Sequence, residues 1–229
     1  MNAFVGRPLV VDTKASLIRQ RLAEAIITGE LRPGDRIVLD EIAREFGVSK
    51  IPLREALSGL EGAGLVVNTP HAGPRVAPLP RHEIHGVYRL REAVEPLAVR
   101  LALERGGRLA VELRDINDRM RQSLGASPDS EISSLNAEFH LAVARATTFA
   151  TVVESVDGLL VKIRRYRAAG FAATWDGVIA EHEAIVTAVE SGDVEGAVEA
   201  MRAHVHAQGA SEAPDELDAA SSDFVNSDD

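Results

Sequence analysis

From residue 13 onward, apolar side chains recur every three or four positions. Leu17, Ile18, Leu22, Ala25 and Ile26 predict a helix from Thr13 to about Thr28, with Gly29 as its stop. "LRPGDRIV" breaks that rhythm into a turn and a short extended piece. A second helix is expected behind Asp40 as N-cap, with Ile42, Ala43 and Phe46 on its apolar side and Gly47 at its end. A third begins after Ser49, a second N-cap candidate, and runs to about Glu61. Two short helices joined by "GVS" form a helix-turn-helix pattern. In "LVVNTPHAGPRVAPL" two β-branched runs flank a Pro, Gly and polar loop, which predicts a hairpin and therefore a winged helix-turn-helix.

"APLPRH", residues 77–82, reads as an interdomain linker. Beyond it the period is helical, with breaks at Gly106-Gly107, Gly125 to Asp129, Thr147 to Ala150, Gly170 to Thr174 and Ser191-Gly192; about six helices follow from that spacing. The expected fold class is mainly α: a winged helix-turn-helix over residues 10–78, an all-helical bundle over 79–208, and an acidic tail over 209–229 read as disordered.

With 229 residues, 45% hydrophobic and 26% charged, the chain is long enough for two domains with real cores. It has no cysteine, which excludes disulfides, thiolate zinc sites and cysteine nucleophiles. No secretory leader pattern or membrane-length apolar run is present, so the expected location is the cytoplasm, with no membrane partner. The net charge of -10 argues against nucleic acid until its distribution is read: residues 1–80 carry +1, 81–210 carry -4, and 211–229 carry -7. Most of the acidity therefore lies in the tail.

At about 100° per residue, Leu53, Ala56, Leu57 and Leu60 share one arc of the third helix and Lys50, Ile51, Arg54 and Ser58 the opposite one. The second arc starts at the helix amino terminus, the part of a recognition helix that meets base edges and phosphates. Lys50 and Arg54 suit phosphate or guanine, and Ile51 suits a thymine methyl. His71 and Arg75, assigned to the wing loop, suit a phosphate or minor-groove contact. A second reading remains open at this point, in which Arg54 pairs with a neighbouring acid and the helix only packs.

In the second half, polar residues stand where core is expected. Ile132, Leu135, Phe139 and Val143 form a stripe edged by Asn136 and His140 at i, i+4; His182 sits among Val178, Ile179, Val186 and Val189; His204 flanks Val194, Val198 and Met201, while His206 points elsewhere. Three imidazoles and an amide directed inward suit a shared divalent cation such as Zn or Ni, though satisfied core histidines give the same pattern. Arg91 falls in the stripe of Val87, Val94, Leu97, Ala98 and Leu101; buried, it requires an acceptor, either Glu95 one turn on or the carboxylate of a small acid. Arg167 is a weaker candidate on another apolar edge. A catalytic zinc site is the rival reading, but "HEAIV" puts Val186 where a second metal-binding histidine of HExxH would stand, and no nucleophile motif replaces it.

"LRPGDRIVLDEIAREFGVSKIPLREALSGLEGAGLVV" resembles the amino-terminal domain of GntR-family transcriptional regulators. "YRLREAVEPLAVRLA", "NAEFHLAVA" and "EHEAIVTAVESGDVEGAVEAMRAHV" resemble the FCD ligand-binding domain of the FadR subfamily. The resemblance implies a homodimeric repressor that binds a pseudo-palindromic DNA operator, with contacts falling on Ser49, Lys50, Ile51, Arg54 and the wing around His71 and Gly73. It further implies a divalent metal held by Asn136, His140, His182 and His204, and a small carboxylate effector met by Arg91. An apolar effector, or a domain that only holds the dimer together, stays open. Two departures stand out: Lys50 replaces the usual Arg and so lacks a bidentate fork, and Ile51 replaces a common Thr. With four neutral ligands the cation keeps its double charge, which favours an anionic effector.

Overall fold

The computed structural model describes residues 13–69, 73–106, 109–170 and 174–212. The chain divides into two compact units, one ending at Pro78 and the other starting at Leu79. His71 and the acidic stretch 213–229 lie outside the described residues.

In the first unit, α1 (Lys14–Ile27) is capped by Thr13, whose hydroxyl accepts from the Ser16 amide at 3.1 Å. Its buried face is Ala15, Ile18, Leu22, Ala25 and Ile26; Leu17 differs from expectation and stands 53% exposed. The Pro33-Gly34 turn, with Gly34 at φ +87°, returns the chain so that the Ile37 amide reaches the Pro74 carbonyl and the Val76 amide reaches that of Asp35. α2 (Leu39–Glu45) begins behind Val38, not Asp40. Asp40 instead occupies the first turn, where its charge complements the helix amino terminus and its carboxylate is free to pair across to α3. Gly47, at φ +61°, turns the chain into α3 (Lys50–Gly62), which Ser49 precedes without a side-chain cap bond. Leu53, Ala56, Leu57 and Leu60 are the buried face of α3, and α1 is its main packing partner. β1 (Val66–Thr69) and β2 (Gly73–Val76) pair antiparallel, Val66 opposite Val76 and Thr69 opposite Gly73, as the wing.

The second unit contains six helices among the described residues: α4 (Arg81–Arg105), α5 (Leu109–Ser123), α6 (Asp129–Ala146), α7 (Ala150–Ala168), α8 (Trp175–Ser191) and α9 (Val194–Glu212). Every break falls where the sequence placed one. α9 runs on to Glu212, so the helix continues past the tail boundary expected at residue 209. α4 packs on α6, α7 and α9, and α8 on α5 and α9. Their common core includes Val87, Phe139, Ile163, Ile185, Val186 and Met201. Leu97, expected inside, is 51% exposed, because α4 turns Ile84, Val87, Tyr88, Arg91, Glu95, Ala98 and Ala102 inward instead. No helix among the described residues is long and apolar enough to cross a membrane.

Candidate metal centre and nucleic-acid interface

The candidate recognition surface is built by a division of labour on α3. Its buried arc ties the helix to α1, leaving Ser49, Lys50, Ile51, Arg54 and Ser58 on the exposed side. Ile51 is 78% exposed, far more than its apolarity favours in water. Arg54 has no ion pair or hydrogen bond to another described residue; it lines a groove of about 410 Å³ between α3 and the wing, with Ser58, Glu61, Asn68 and Gly73. Lys50 is less free, since its Nζ lies 2.6 Å from Asp40 Oδ1. That contact holds the Asp40 carboxyl below its ordinary range through the Lys50 hydrogen bond and charge.

Arg75 is placed differently from its assignment to the wing loop. It sits on β2, and its Nη1 donates to the Gly34 carbonyl at 2.9 Å, bracing the wing against the Pro33-Gly34 turn. Its guanidinium keeps further donors for a phosphate. Gly73, at φ +79°, opens β2, a backbone conformation that disfavours any side chain there.

The second site lies inside the helical unit. His140 from α6, His182 from α8 and His204 from α9 are all buried, and one nitrogen from each lies within 4.8 Å of the others. His140 Nδ1 is 2.6 Å from Glu95 Oε2, and His204 Nδ1 is 2.7 Å from Glu181 Oε2. A carboxylate only accepts, so His204 carries its proton on Nδ1 and presents an Nε2 lone pair; at His140 the Glu95 charge beside Nδ1 favours the same tautomer, although that pair lacks hydrogen-bond alignment. Those two Nε2 atoms face each other at 3.3 Å. Two lone pairs at that distance repel unless a cation lies between them. His182 stacks on Phe139, with ring centroids 3.8 Å apart and 8° between planes, and neither of its nitrogens has a hydrogen-bond partner. Asn136 Oδ1, on the same face of α6 one turn before His140, is likewise buried and unpartnered. Orphaned buried donors and acceptors of this kind carry a cost of about 1–3 kcal/mol each. Neutral imidazole nitrogen with amide oxygen is a donor set that fits a divalent ion of the Zn or Ni class.

Arg91 belongs to the same cluster. Its Nε donates to Glu95 Oε1 at 2.5 Å, and its Nη2 lies 3.4 Å from both Glu95 Oε2 and His140 Nε2. Glu95 therefore serves Arg91 and His140 at once. The four expected donors are neutral, but Glu95 and Glu181 stand directly behind two of them, so a bound ion would not keep the full double charge expected from its donors alone. Arg167 is half-buried, its guanidinium 4.9 Å over the Trp175 ring, and its positive charge helps to hold the His182 ring neutral. His206 is exposed and meets Glu92 at 3.0 Å, away from the cluster.

Burial pushes His140 down to about 4 against the opposing pull of Glu95, and it lowers His204 against the pull of Glu181. Burial, with the neighbouring His204 and His140, holds His182 well below the usual range. Burial acts to raise Glu95, but Arg91 and His140 outweigh it and keep the carboxyl ionised. All three rings are thus neutral donors at pH 7. In the metal-free protein, below an unfolded histidine pKa of about 6.5, the unfolded chain takes up protons that the folded chain refuses. Stability to urea is expected to fall as pH drops below about 6.5, because each of the three rings is held below that value in the folded chain. Equal urea midpoints at pH 7 and pH 5 would contradict it.

Sequence spacing identified the three histidines, Asn136 and Arg91, and the Arg91–Glu95 pair is visible as an i, i+4 spacing. It missed Glu95 as a partner of His140 and Glu181 as a partner of His204. The first lies across α4 and α6 and the second across α8 and α9, so no local spacing carries either signal.

Residues 14–76 match the model of "Bacterial regulatory proteins, gntR family", and residues 86–207 match that of the "FCD domain". The chain is 30% identical over 203 residues to the "Probable D-xylose utilization operon transcriptional repressor" of Paenarthrobacter nicotinovorans, covering 88% of this chain and 90% of that one. It is 27% identical over 191 residues to the "Uncharacterized HTH-type transcriptional regulator YdhC" of Bacillus subtilis strain 168, covering 80% and 84%. The solved structure of E. coli McbR/YncC superposes with a TM-score of 0.76 at 21% identity, over 87% of this chain and 97% of that one, a likeness of fold. A winged head with an exposed cationic helix face, joined in one chain to a helical domain of this type, places the protein in the GntR family of DNA-binding transcriptional regulators, its carboxy-terminal half an FCD domain, and not among enzymes.

Proposed function

We propose that the protein is a homodimeric repressor of the cytoplasm whose affinity for a pseudo-palindromic operator is set by a small carboxylate bound at a metal-containing site in the FCD domain. The observation that carries this reading is the buried meeting of three neutral imidazoles with Arg91 in a domain attached to a DNA-binding head. His140, His182, His204 and Asn136 would hold the ion, which supplies a coordination position for a carboxylate oxygen. Arg91 would meet the other oxygen, with Glu95 keeping the guanidinium oriented until the acid arrives. Leu90 and Leu97, 57% and 51% exposed one heptad apart on α4, support a face shared with a second copy. Binding of the acid would repack the bundle and change the spacing of two heads reading half-sites about 34–36 Å apart. The relative from Paenarthrobacter is named a repressor, which supports the same sign of regulation here.

On the DNA side, Ser49, Lys50, Ile51 and Arg54 would enter the major groove, with His71, Gly73 and Arg75 of the wing along the backbone. Asp40 tempers this surface by neutralising Lys50. Asp40→Asn is expected to tighten binding to random-sequence duplex several-fold and to steepen the salt slope by about one ion, since each phosphate neutralised contributes roughly 0.9 to that slope. Fluorescence anisotropy across a salt series checks this; an unchanged slope would contradict it.

The effector is tested by thermal shift of zinc-loaded protein against matched organic acids, their amides and acyl thioesters. Acids alone are expected to raise the melting temperature. A response to acyl thioesters or amides, with none to acids, would replace the carboxylate reading by that of an apolar effector.

A further inference from the structure

We propose that Glu181 is a positioning residue of the metal centre: held by Gln208, its carboxylate accepts a hydrogen bond from the Nδ1–H of His204 and so aims that ring's Nε2 at the ion. This rests on the reading of the histidine cluster as a metal site and goes beyond it, because Glu181 contributes no ligand atom to that set. The geometry is a relay across two helices. Glu181 Oε2 lies 2.7 Å from His204 Nδ1 and 2.9 Å from Gln208 Nε2, which donates to it from α9, one turn beyond His204. Gln208 is itself buried, so its amide is committed to that task and keeps the carboxylate from turning to water.

The opposite ring has a matching device. His140 Nδ1 faces Glu95 Oε2 at 2.6 Å, and the result is two Nε2 atoms brought to 3.3 Å of each other. Without a carboxylate at each Nδ1, either ring can move its proton to Nε2 or rotate, and the two lone pairs cease to converge. The two carboxylates differ in one respect that gives the test. Glu95 is fully buried and also bound by Arg91, so its removal strands a guanidinium. Glu181 is about a third exposed, and among the described residues its carboxylate pairs with His204 and Gln208, so it can be changed with little effect on the fold.

The experiment uses full-length protein freed of metal by a chelator, with zinc titrated in competition with a fluorescent zinc chelator. Glu181→Gln is expected to bind zinc about 10–100-fold more weakly than the wild type, the range typical of such outer partners. Its metal-free melting temperature should match the wild type's, and the ¹⁵N shifts of His204 should move away from a pure Nδ1–H tautomer. Glu183→Gln is the control: that carboxylate, two residues on in α8, is paired with Arg114 and Arg121, and its loss should leave zinc affinity unchanged. Zinc binding as tight in Glu181→Gln as in the wild type, with the His204 tautomer unmoved, overturns the proposal. A wild type that binds no zinc fails the metal reading itself, and the tautomer comparison in metal-free protein then decides the role of Glu181.

Discussion

Zinc supplied at about a thousand times its dissociation constant is expected to stabilise the wild-type protein by about 4 kcal/mol and to leave a His182→Ala variant where it was. For a chain of this size that corresponds to a rise of roughly 8–16 °C in melting temperature. The size follows from the state of the site without an ion. Both His182 nitrogens and Asn136 Oδ1 are buried with no partner, and the Nε2 atoms of His140 and His204 face each other. An ion would satisfy one His182 nitrogen, Asn136 Oδ1 and the two facing Nε2 atoms together in the folded chain and none of them in the unfolded one. His182→Ala also removes a ring stacked on Phe139, so its metal-free baseline will lie lower. The informative quantity is the change on adding zinc within each variant, measured by differential scanning fluorimetry. An equal rise in both proteins would place the zinc elsewhere.

Arg54→Ala is expected to weaken binding by at least about 30-fold to an operator selected from random duplex by the wild-type protein. One good bidentate contact to a guanine contributes about 1–3 kcal/mol of discrimination, and a dimer on two half-sites makes it twice. The exposed, unpartnered guanidinium means that this loss is not one of folding. Substitutions at such surface positions stay within about 0.5 kcal/mol, so the melting temperature and helical circular dichroism should not change. Lys50→Ala should cost less, because Lys50 is a point charge already shared with Asp40. Gel shift and melting, run on the same preparations, check both statements. An unaltered gel shift removes Arg54 from the interface.

What the sequence made legible follows from where each signal lives along the chain. The core arc of α3, the stripes of α6 and α8 and every helix break are local patterns, and each stands where spacing put it. The misplacements are at element edges and in one long helix. Asp40 has the chemistry of a cap, yet the helix starts one residue earlier at Leu39, because the extended segment before it is fixed by pairing with β2. Leu17 and Leu97 are apolar at near-helical spacing but rotated off the buried face. In α4 the 25-residue length, with Pro96 inside, leaves several apolar stripes to choose from, and only packing against α6, α7 and α9 selects one.

The histidine cluster divides in the same way. Its inward histidines could be found one helix at a time, since each interrupts an apolar stripe. The groups that orient them could not, because Glu95 and Glu181 reach their histidines from a different helix. The charge around the cluster has that same origin: the neutral donors are local in sequence, and the two carboxylates behind them are brought there by tertiary packing.

The most direct test is the metal content of the full-length protein, purified without chelator or affinity metal and measured by plasma mass spectrometry against protein concentration. The account predicts close to one divalent ion per chain, lost when His140 and His182 are both replaced by alanine. A wild type free of stoichiometric metal, whose imidazoles are satisfied without one, would contradict it.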